Sequence, residues 1–327
     1  MDDFSFAPAK TVAEASRLFT ERSPAGAAFM AGGTDLLVLT RKGLMAPRAV
    51  IYLKTIPGLS EIRFDEKGGT RIGATVALEE VARHPGINRY YSMLARAASA
   101  VGSPQIRHKG TIGGNICLNT RCYFYNRSPF WRTEYPECRK ASRGRQCYVL
   151  QQSRQGCFAL QSGDTVGPLV ALGAKVRLLS EKGDRVLPVE DLFLGDGINY
   201  LALEPGEILT EIVLPPPPSL SRNGVFIKFR PQNNLDFATF TLSVLPSGKD
   251  AGSRIVAGSV ASRPLRAKEA ERMLDLGNGD MATIARTASE ELKLISFVRG
   301  TVPFKRRAIQ VKLAGILKGL EAHTPLA

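Results

Sequence analysis

Cys117, Cys122, Cys138, Cys147 and Cys157 are the only cysteines of a 327-residue chain, and all five fall within 41 residues. Thiolates grouped this closely bind a metal, hold an iron–sulfur cluster or do redox chemistry. A disulfide framework is the weaker reading for a chain expected in a reducing compartment. After Cys122 the intervening stretches are 15, 8 and 9 residues, with none of the tight C-x-x-C pairs of zinc knuckles. Four thiolates around a [4Fe–4S] cube need no set interval, so a cluster held by one long loop fits the spacing better than zinc does. Buried cysteines with no ligand are the plain alternative. The histidines, His84, His108 and His323, are too scattered for a histidine-based centre.

Two glycine-rich turns add a second kind of chemistry. Gly32 and Gly33 precede Thr34 and Asp35 where an apolar run breaks, and Gly113, Gly114 and Asn115 follow "KGTI". Glycines let backbone N–H groups approach phosphate oxygens, and successive N–H groups form an anion-binding nest. Each turn alone is weak, since most such pairs are only turns. Together with the cysteines they point toward a redox nucleotide. No Walker A, HExxH or strand-following GxGxxG pattern appears.

The elements that must position these groups can be read from periodicity. "KTVAEASRLFTER" opens with Thr11 and Glu14 in capping-box spacing, followed by an apolar helical face at Val12, Ala15 and Leu18. "RAVIYLK" and "GTRIGATVAL" predict strands, and "YYSMLARAASAVG" predicts a helix ending at Gly102. From Arg121 to Gly163 the periodicity stops. That stretch carries eight basic and two acidic residues, eight aromatics and the single tryptophan, Trp131, and it predicts a long functional loop. "DTVGPLVALGAKVRLLS" resumes as a helix running into a strand, and "KVRLLSEKGDRVLPVEDLF" predicts a hairpin turning at Lys182–Gly183. "GEILTEIVLP" is a further strand before the prolines at 215–218, the clearest linker. Beyond them lie three strands ("GVFIKFRP", "TFTLSVLP", "SRIVAGSV") and three amphipathic helices.

With 44 Lys or Arg against 30 Asp or Glu the formal charge is +14, and 44% of residues are apolar, as in an ordinary globular protein. No apolar run approaches the ~18 residues of a membrane span. The start "MDDFSFAPAK" lacks the character of a secretory signal, so the expected address is the cytoplasm, without membrane partners.

"AGGTDLL", "IRHKGTIGGNI", "DLFLGDGINYLALEPGEILTEIVLP" and "FIKFRPQNNLDFATF" together resemble the FAD-binding medium subunits of the molybdenum hydroxylase family, which includes xanthine dehydrogenase and aerobic carbon monoxide dehydrogenase. The resemblance spans nearly the whole chain outside 121–163. It implies an α+β protein: a two-subdomain FAD-binding domain at 1–218 (subdomains at about 1–57 and 58–218), then a C-terminal α+β domain at 222–325. In that family a short segment joins the "GGN" motif to an Asp, here Asn115 and Asp164, whereas this chain places about 40 residues between them. Such a cysteine-bearing insertion resembles that of the flavoprotein subunits of 4-hydroxybenzoyl-CoA reductases, which carry a [4Fe–4S] cluster besides FAD. On that likeness Cys122, Cys138, Cys147 and Cys157 are the expected ligands, and Cys117, just outside, packs near the flavin.

The resemblance also assigns the flavin contacts. Phe29, Met30, Ala31, Gly32, Gly33, Thr34, Asp35 and Leu36 would run along the FAD diphosphate, completed by Thr111, Gly113, Gly114 and Asn115. Val101, Gly102 and Ile106 would pack at or near the adenine-ribose, Asp164 would hydrogen-bond a polar part of the cofactor, and Leu209 would pack against it. Lys228 would sit near the isoalloxazine and Phe237 in the segment covering the ring. Read without the family, Val101, Ile106 and Leu209 are plain core and Lys228 an exposed strand lysine.

The implied function is electron transfer: from ferredoxin through [4Fe–4S] and FAD toward [2Fe–2S] and molybdenum on two other subunits, in a dimer of αβγ trimers. The complete enzyme would reductively remove the phenolic hydroxyl of 4-hydroxybenzoyl-CoA, giving benzoyl-CoA, with no catalytic residue for that step on this chain. A flavin subunit of the same fold serving another molybdenum enzyme is the alternative. A zinc-stapled nucleic-acid-binding loop is the remote one, and nucleic acid is not an expected partner.

Overall fold

The structure is a computed structural model that describes residues 3–150, 156–217, 224–230, 235–248, 251–297 and 300–322. Its described strands form three sheets. The first is parallel, in the order Ser5–Pro8, Ala49–Tyr52, Ala27–Met30. The helix Val12–Arg22 crosses over between its outer strands and covers a small core of Ala15, Ile51, Leu53 and Ile56. Half of the capping box forms as its spacing predicts, with Glu14 N donating to Thr11 Oγ1 at 3.0 Å, while Glu14 Oε2 accepts from Lys10 N, one residue before the cap, at 2.7 Å.

The second sheet is antiparallel, in the order Ile62–Asp65, Gly69–Gly73, Ile208–Leu214, Lys175–Ser180, Gly183–Pro188. The predicted hairpin is present, with Gly183 at its turn. The helices Ser92–Ser99 and Val166–Ala171 bury Leu94, Ala97, Ala98, Leu169 and Val170 in its core with Ile72, Val176 and Ile212. "GTRIGATVAL" is a strand only over Gly69–Gly73, because Leu78–Arg83 turns into a helix.

The third sheet, also antiparallel, runs Leu265–Arg266, Arg254–Gly258, Phe240–Leu245, Val225–Phe229. The helices Lys268–Asp275, Met281–Glu291 and Val302–Ala322 pack on it around Phe240, Leu242, Ile284 and Leu313. Lys305, 1% exposed, is buried here, and its Nζ donates to Ile295 O at 2.8 Å. The expected linker end at Pro218, the start of the second domain at 222 and its end at 325 lie outside the described residues.

Two sequence expectations need correcting. "IGGNI" is a short helix, Ile112–Ile116, because Thr111 Oγ1 caps it by accepting from Gly114 N at 3.1 Å. The 121–163 stretch also contains the helices Pro129–Arg132 and Arg139–Ser142, each four residues and too short to show a period. The stretch leaves and rejoins the fold through one antiparallel bridge: Arg121 N donates to Leu160 O at 2.8 Å and Leu160 N to Arg121 O at 2.7 Å. Its residues 151–155 lie outside the described residues.

Candidate functional site: a flavin cavity beside a buried cysteine cluster

The two glycine-rich segments, some 80 residues apart in sequence, touch in space. A Cβ on Gly32 would lie 1.9 Å from Lys109 O, so only glycine lets the first segment pack on the backbone entering the second. Gly33 takes a φ of +71°, which also favours glycine. Together they border a cavity of about 590 Å³, in the size range of small-ligand sites. Phe29 to Leu36, Val101, Gly102, Ile106, Thr111, Gly114, Asn115, Asp164, Lys228 and Phe237 all line it. Gly113 and Leu209 do not. Gly113 packs on the strand side, where a Cβ would meet Ala74 O at 2.7 Å, and Leu209 is core.

One wall of the cavity is electrostatically unusual. Lys228 Nζ lies 2.6 Å from Asp164 Oδ2, with both side chains almost wholly buried, and it also donates to Ala100 O at 2.9 Å. Lys228 is therefore not the exposed strand lysine that its pattern alone suggests. Burial pushes the Asp164 carboxyl up, and the nearby Lys228 ammonium opposes this. The other carboxyl oxygen, Oδ1, is buried without a hydrogen-bond partner among the described residues. A buried acceptor left unpaired costs about 1–3 kcal/mol, which a ligand donor would recover. Asn115 Oδ1 is already engaged by Thr165 N at 3.1 Å and Thr165 Oγ1 at 2.7 Å, so Asn115 shapes the wall.

Two wall residues, Asn119 and Arg121, lie outside the sequence motifs. Arg121 forms an ion pair with Asp35 and stands 5.3 Å from the Phe237 ring centroid. Asn119 N donates to Asp35 Oδ2 at 3.3 Å, and Tyr200 Oη to Cys117 O at 3.2 Å. Cys117 lies on the cavity wall, where burial pushes its thiol up to about 12. Cation–aromatic and long-range ion pairs leave no local periodicity, which is why a motif search passes over them.

The other four cysteines gather beside this wall. Cys122, Cys138, Cys147 and Cys157 are each 6–7% exposed. Cys122 is close enough to feel the charge of Cys138 and Cys147, and Cys157 that of Cys147 and Cys122. Burial lifts Cys122 to about 11 and Cys157 to about 12, against the pull of backbone N–H groups of Phe124 and Tyr125 on the first and Ala159 on the second. Such N–H donors favour a sulfur that carries negative charge, and a bound metal displaces the thiol proton altogether. Phe124, Tyr135 and Tyr148 contact one another edge-on or tilted, with centroids 4.8–5.7 Å apart, and form an aromatic wall within the insertion. Among the described residues no three His, Cys, Asp or Glu side chains converge as a single metal ion requires.

Residues 2–217 match the family model for the FAD-binding domain in molybdopterin dehydrogenase. The chain belongs to that family. This FAD-binding subunit of the molybdenum hydroxylase family is 33% identical, over 85% of its length and 87% of the relative's, to the aldehyde oxidoreductase FAD-binding subunit of Escherichia coli (strain K12). It is 29% identical to the nicotinate dehydrogenase FAD-subunit of Eubacterium barkeri, over 98% and 95% of the two chains. A solved structure of carbon monoxide dehydrogenase from Hydrogenophaga pseudoflava shares the fold, with a TM-score of 0.77 at 24% identity and 98% of each chain covered. The family places FAD in this subunit, and the glycine cradle and the unpaired Asp164 oxygen fit it. Nothing in the family match supports a nucleic-acid-binding role for the basic loop. Among the described residues no helix is long and apolar enough to cross a membrane.

Proposed function

We propose that this FAD subunit also carries a [4Fe–4S] cluster on Cys122, Cys138, Cys147 and Cys157, and that electrons from a ferredoxin enter its complex here. The observation carrying this reading is the burial of all four cysteines of one insertion, with Cys122 next in sequence to Arg121 of the cavity wall and close enough to Cys138, Cys147 and Cys157 to interact with each. A flavin exchanges electrons singly or in pairs and an iron–sulfur cluster one at a time, so a chain holding both is an electron-transfer unit. The residues divide the work of holding FAD. The Gly32–Asp35 segment offers backbone N–H groups to the diphosphate, and Thr111, Gly114 and Asn115, whose segment's N–H groups from Ile112 to Asn115 already donate within the fold, shape the wall beside it. Asp164 Oδ1 accepts from a polar part of the cofactor, Lys228 supplies fixed positive charge near the ring, and Phe237 covers it. The chain then divides into an FAD-binding domain, 1–218, and a C-terminal domain, 222–325, and works in the cytoplasm beside a molybdenum-binding and a [2Fe–2S] subunit.

For the whole enzyme we favour a 4-hydroxybenzoyl-CoA reductase, because the insertion and its cysteines resemble those enzymes. Two electrons and two protons would convert the phenolic thioester to benzoyl-CoA and water, on another subunit. A second reading, the oxidation of an aldehyde, is favoured by the 33% identity to an aldehyde oxidoreductase subunit.

Iron, zinc, acid-labile sulfide and flavin analysis of anaerobically purified protein tests the cluster. About four irons and four sulfides per flavin are expected. Flavin without iron would keep the fold and remove the cluster. Product analysis of the purified complex then separates the enzymes: benzoyl-CoA formed with reduced ferredoxin supports the reductase, and a carboxylic acid formed from an aromatic aldehyde supports the second reading.

A further inference from the structure

Between the cysteine cluster and the flavin cavity stands one lysine. Lys140 lies in the short helix Arg139–Ser142, two residues after Cys138, yet its ammonium is directed away from solvent. Nζ donates to Asn119 Oδ1 at 2.7 Å, Thr120 O at 3.1 Å and Gly197 O at 2.7 Å, and also contacts Thr120 Oγ1. It lies 4.9 Å from the Tyr125 ring centroid and 5.6 Å from that of Tyr200.

These partners belong to both sites. Asn119 and Tyr200 line the flavin cavity, and Asn119 N reaches the Asp35 carboxylate of the first glycine turn. Gly197 packs on the other side, where its N–H donates to Cys157 O at 2.7 Å and a Cβ would meet Cys157 Sγ at 2.7 Å. No carboxylate forms an ion pair with Lys140 among the described residues. A buried ammonium that satisfies its donors on carbonyls keeps its net charge uncompensated. The acceptor Gly197 is the residue that packs on Cys157 Sγ, so the Lys140 charge stands one residue away from that cysteine.

We propose that Lys140 is a positioning residue that fastens the cysteine-bearing insertion to the flavin wall and supplies the fixed positive charge between the two centres. The fastening stands on the hydrogen bonds alone. The electrostatic part rests on the reading that the cysteines hold a cluster.

The test compares wild type with Lys140→Met, Lys140→Arg and Thr120→Val, each as the full chain purified anaerobically with its partner subunits. Hydrogen exchange at Asn119–Arg121 and at Gly197 reports the fastening, with or without iron. Lys140→Met should exchange about tenfold faster there, and Thr120→Val, which keeps the charge, should do so to a smaller degree. Redox titration of the cluster reports the charge: its potential should fall in Lys140→Met, stay unchanged in Thr120→Val and return toward wild type in Lys140→Arg. Unchanged exchange in Lys140→Met would overturn the fastening. Equal potential shifts in the Met and Arg variants would overturn the electrostatic role. Wild type with faithful exchange behaviour but no iron would instead refute the cluster and leave the fastening standing.

Discussion

Asp164 and Lys228 are 64 residues apart in sequence and 2.6 Å apart in space, both nearly excluded from water, with one Asp164 oxygen still unpaired. Removing one partner of such a pair leaves an uncompensated buried charge, which typically costs 3–5 kcal/mol. Asp164→Ala should therefore unfold at a lower temperature and lose FAD on gel filtration. The double variant Asp164→Ala/Lys228→Met should recover most of the stability but not the cofactor. Recovery of FAD in the double variant would show that Oδ1 does not contact it.

Gly32 and Gly315 give opposite expectations for the same substitution. At Gly32 an added Cβ meets the Lys109 carbonyl, which cannot swing aside as a side chain would. Gly32→Ala should cost about 1–3 kcal/mol and, by opening the cradle, reduce FAD affinity at least tenfold. Gly315 lies exposed within Val302–Ala322 with nothing within 4 Å of its Cβ position. Gly315→Ala should stabilise by about 1 kcal/mol, the helix-propensity difference, with FAD content unchanged. Thermal unfolding and flavin absorbance read both.

Lys305 makes stability depend on pH. Burial brings its ammonium down to about 8 from 10.5. Between those values the unfolded chain binds the proton and the folded chain does not, so this residue's contribution rises with pH across that window. Lys305→Met should be more stable than wild type at pH 7, by roughly 3 kcal/mol at most, and should lose that slope. Denaturant titrations at several pH values check it, and an unchanged slope would show that Lys305 is not its source.

The basic insertion carries eight cationic against two acidic residues. Arg127 stacks 3.7 Å from the Tyr123 ring centroid, beside half-exposed Trp131 and exposed Phe130. If this surface steers an acidic ferredoxin, the rate of ferredoxin oxidation by the complex should fall several-fold between roughly 0.01 and 0.3 M ionic strength. A flat response would leave the charges as a solvated surface that partly balances the cysteines.

The sequence made much of this site legible, for identifiable reasons. Glycine turns, caps and alternating strands are local, so Thr11, Gly33 and the hairpin at Gly183 could be read from neighbouring residues alone. The cysteines stood out by crowding. What stayed hidden depends on distant partners. Nothing near Lys228 in the sequence indicates a buried ion pair with Asp164, and nothing near Lys140 indicates three carbonyl-type acceptors on two other loops. Leu209 and Gly113 sit within family motifs, yet the fold turns both into the core.

The single bridge between Arg121 and Leu160 brings the two ends of the cysteine-rich segment side by side. A segment that begins and ends at adjacent points asks little of its host, since the flanking strands and helices keep their register whether nothing or forty residues loop out between them. A cysteine-rich segment can thus be gained or lost at that one doorway while the flavin scaffold stays as it is. The chemistry open to the subunit then changes by graft, without redesign of the scaffold.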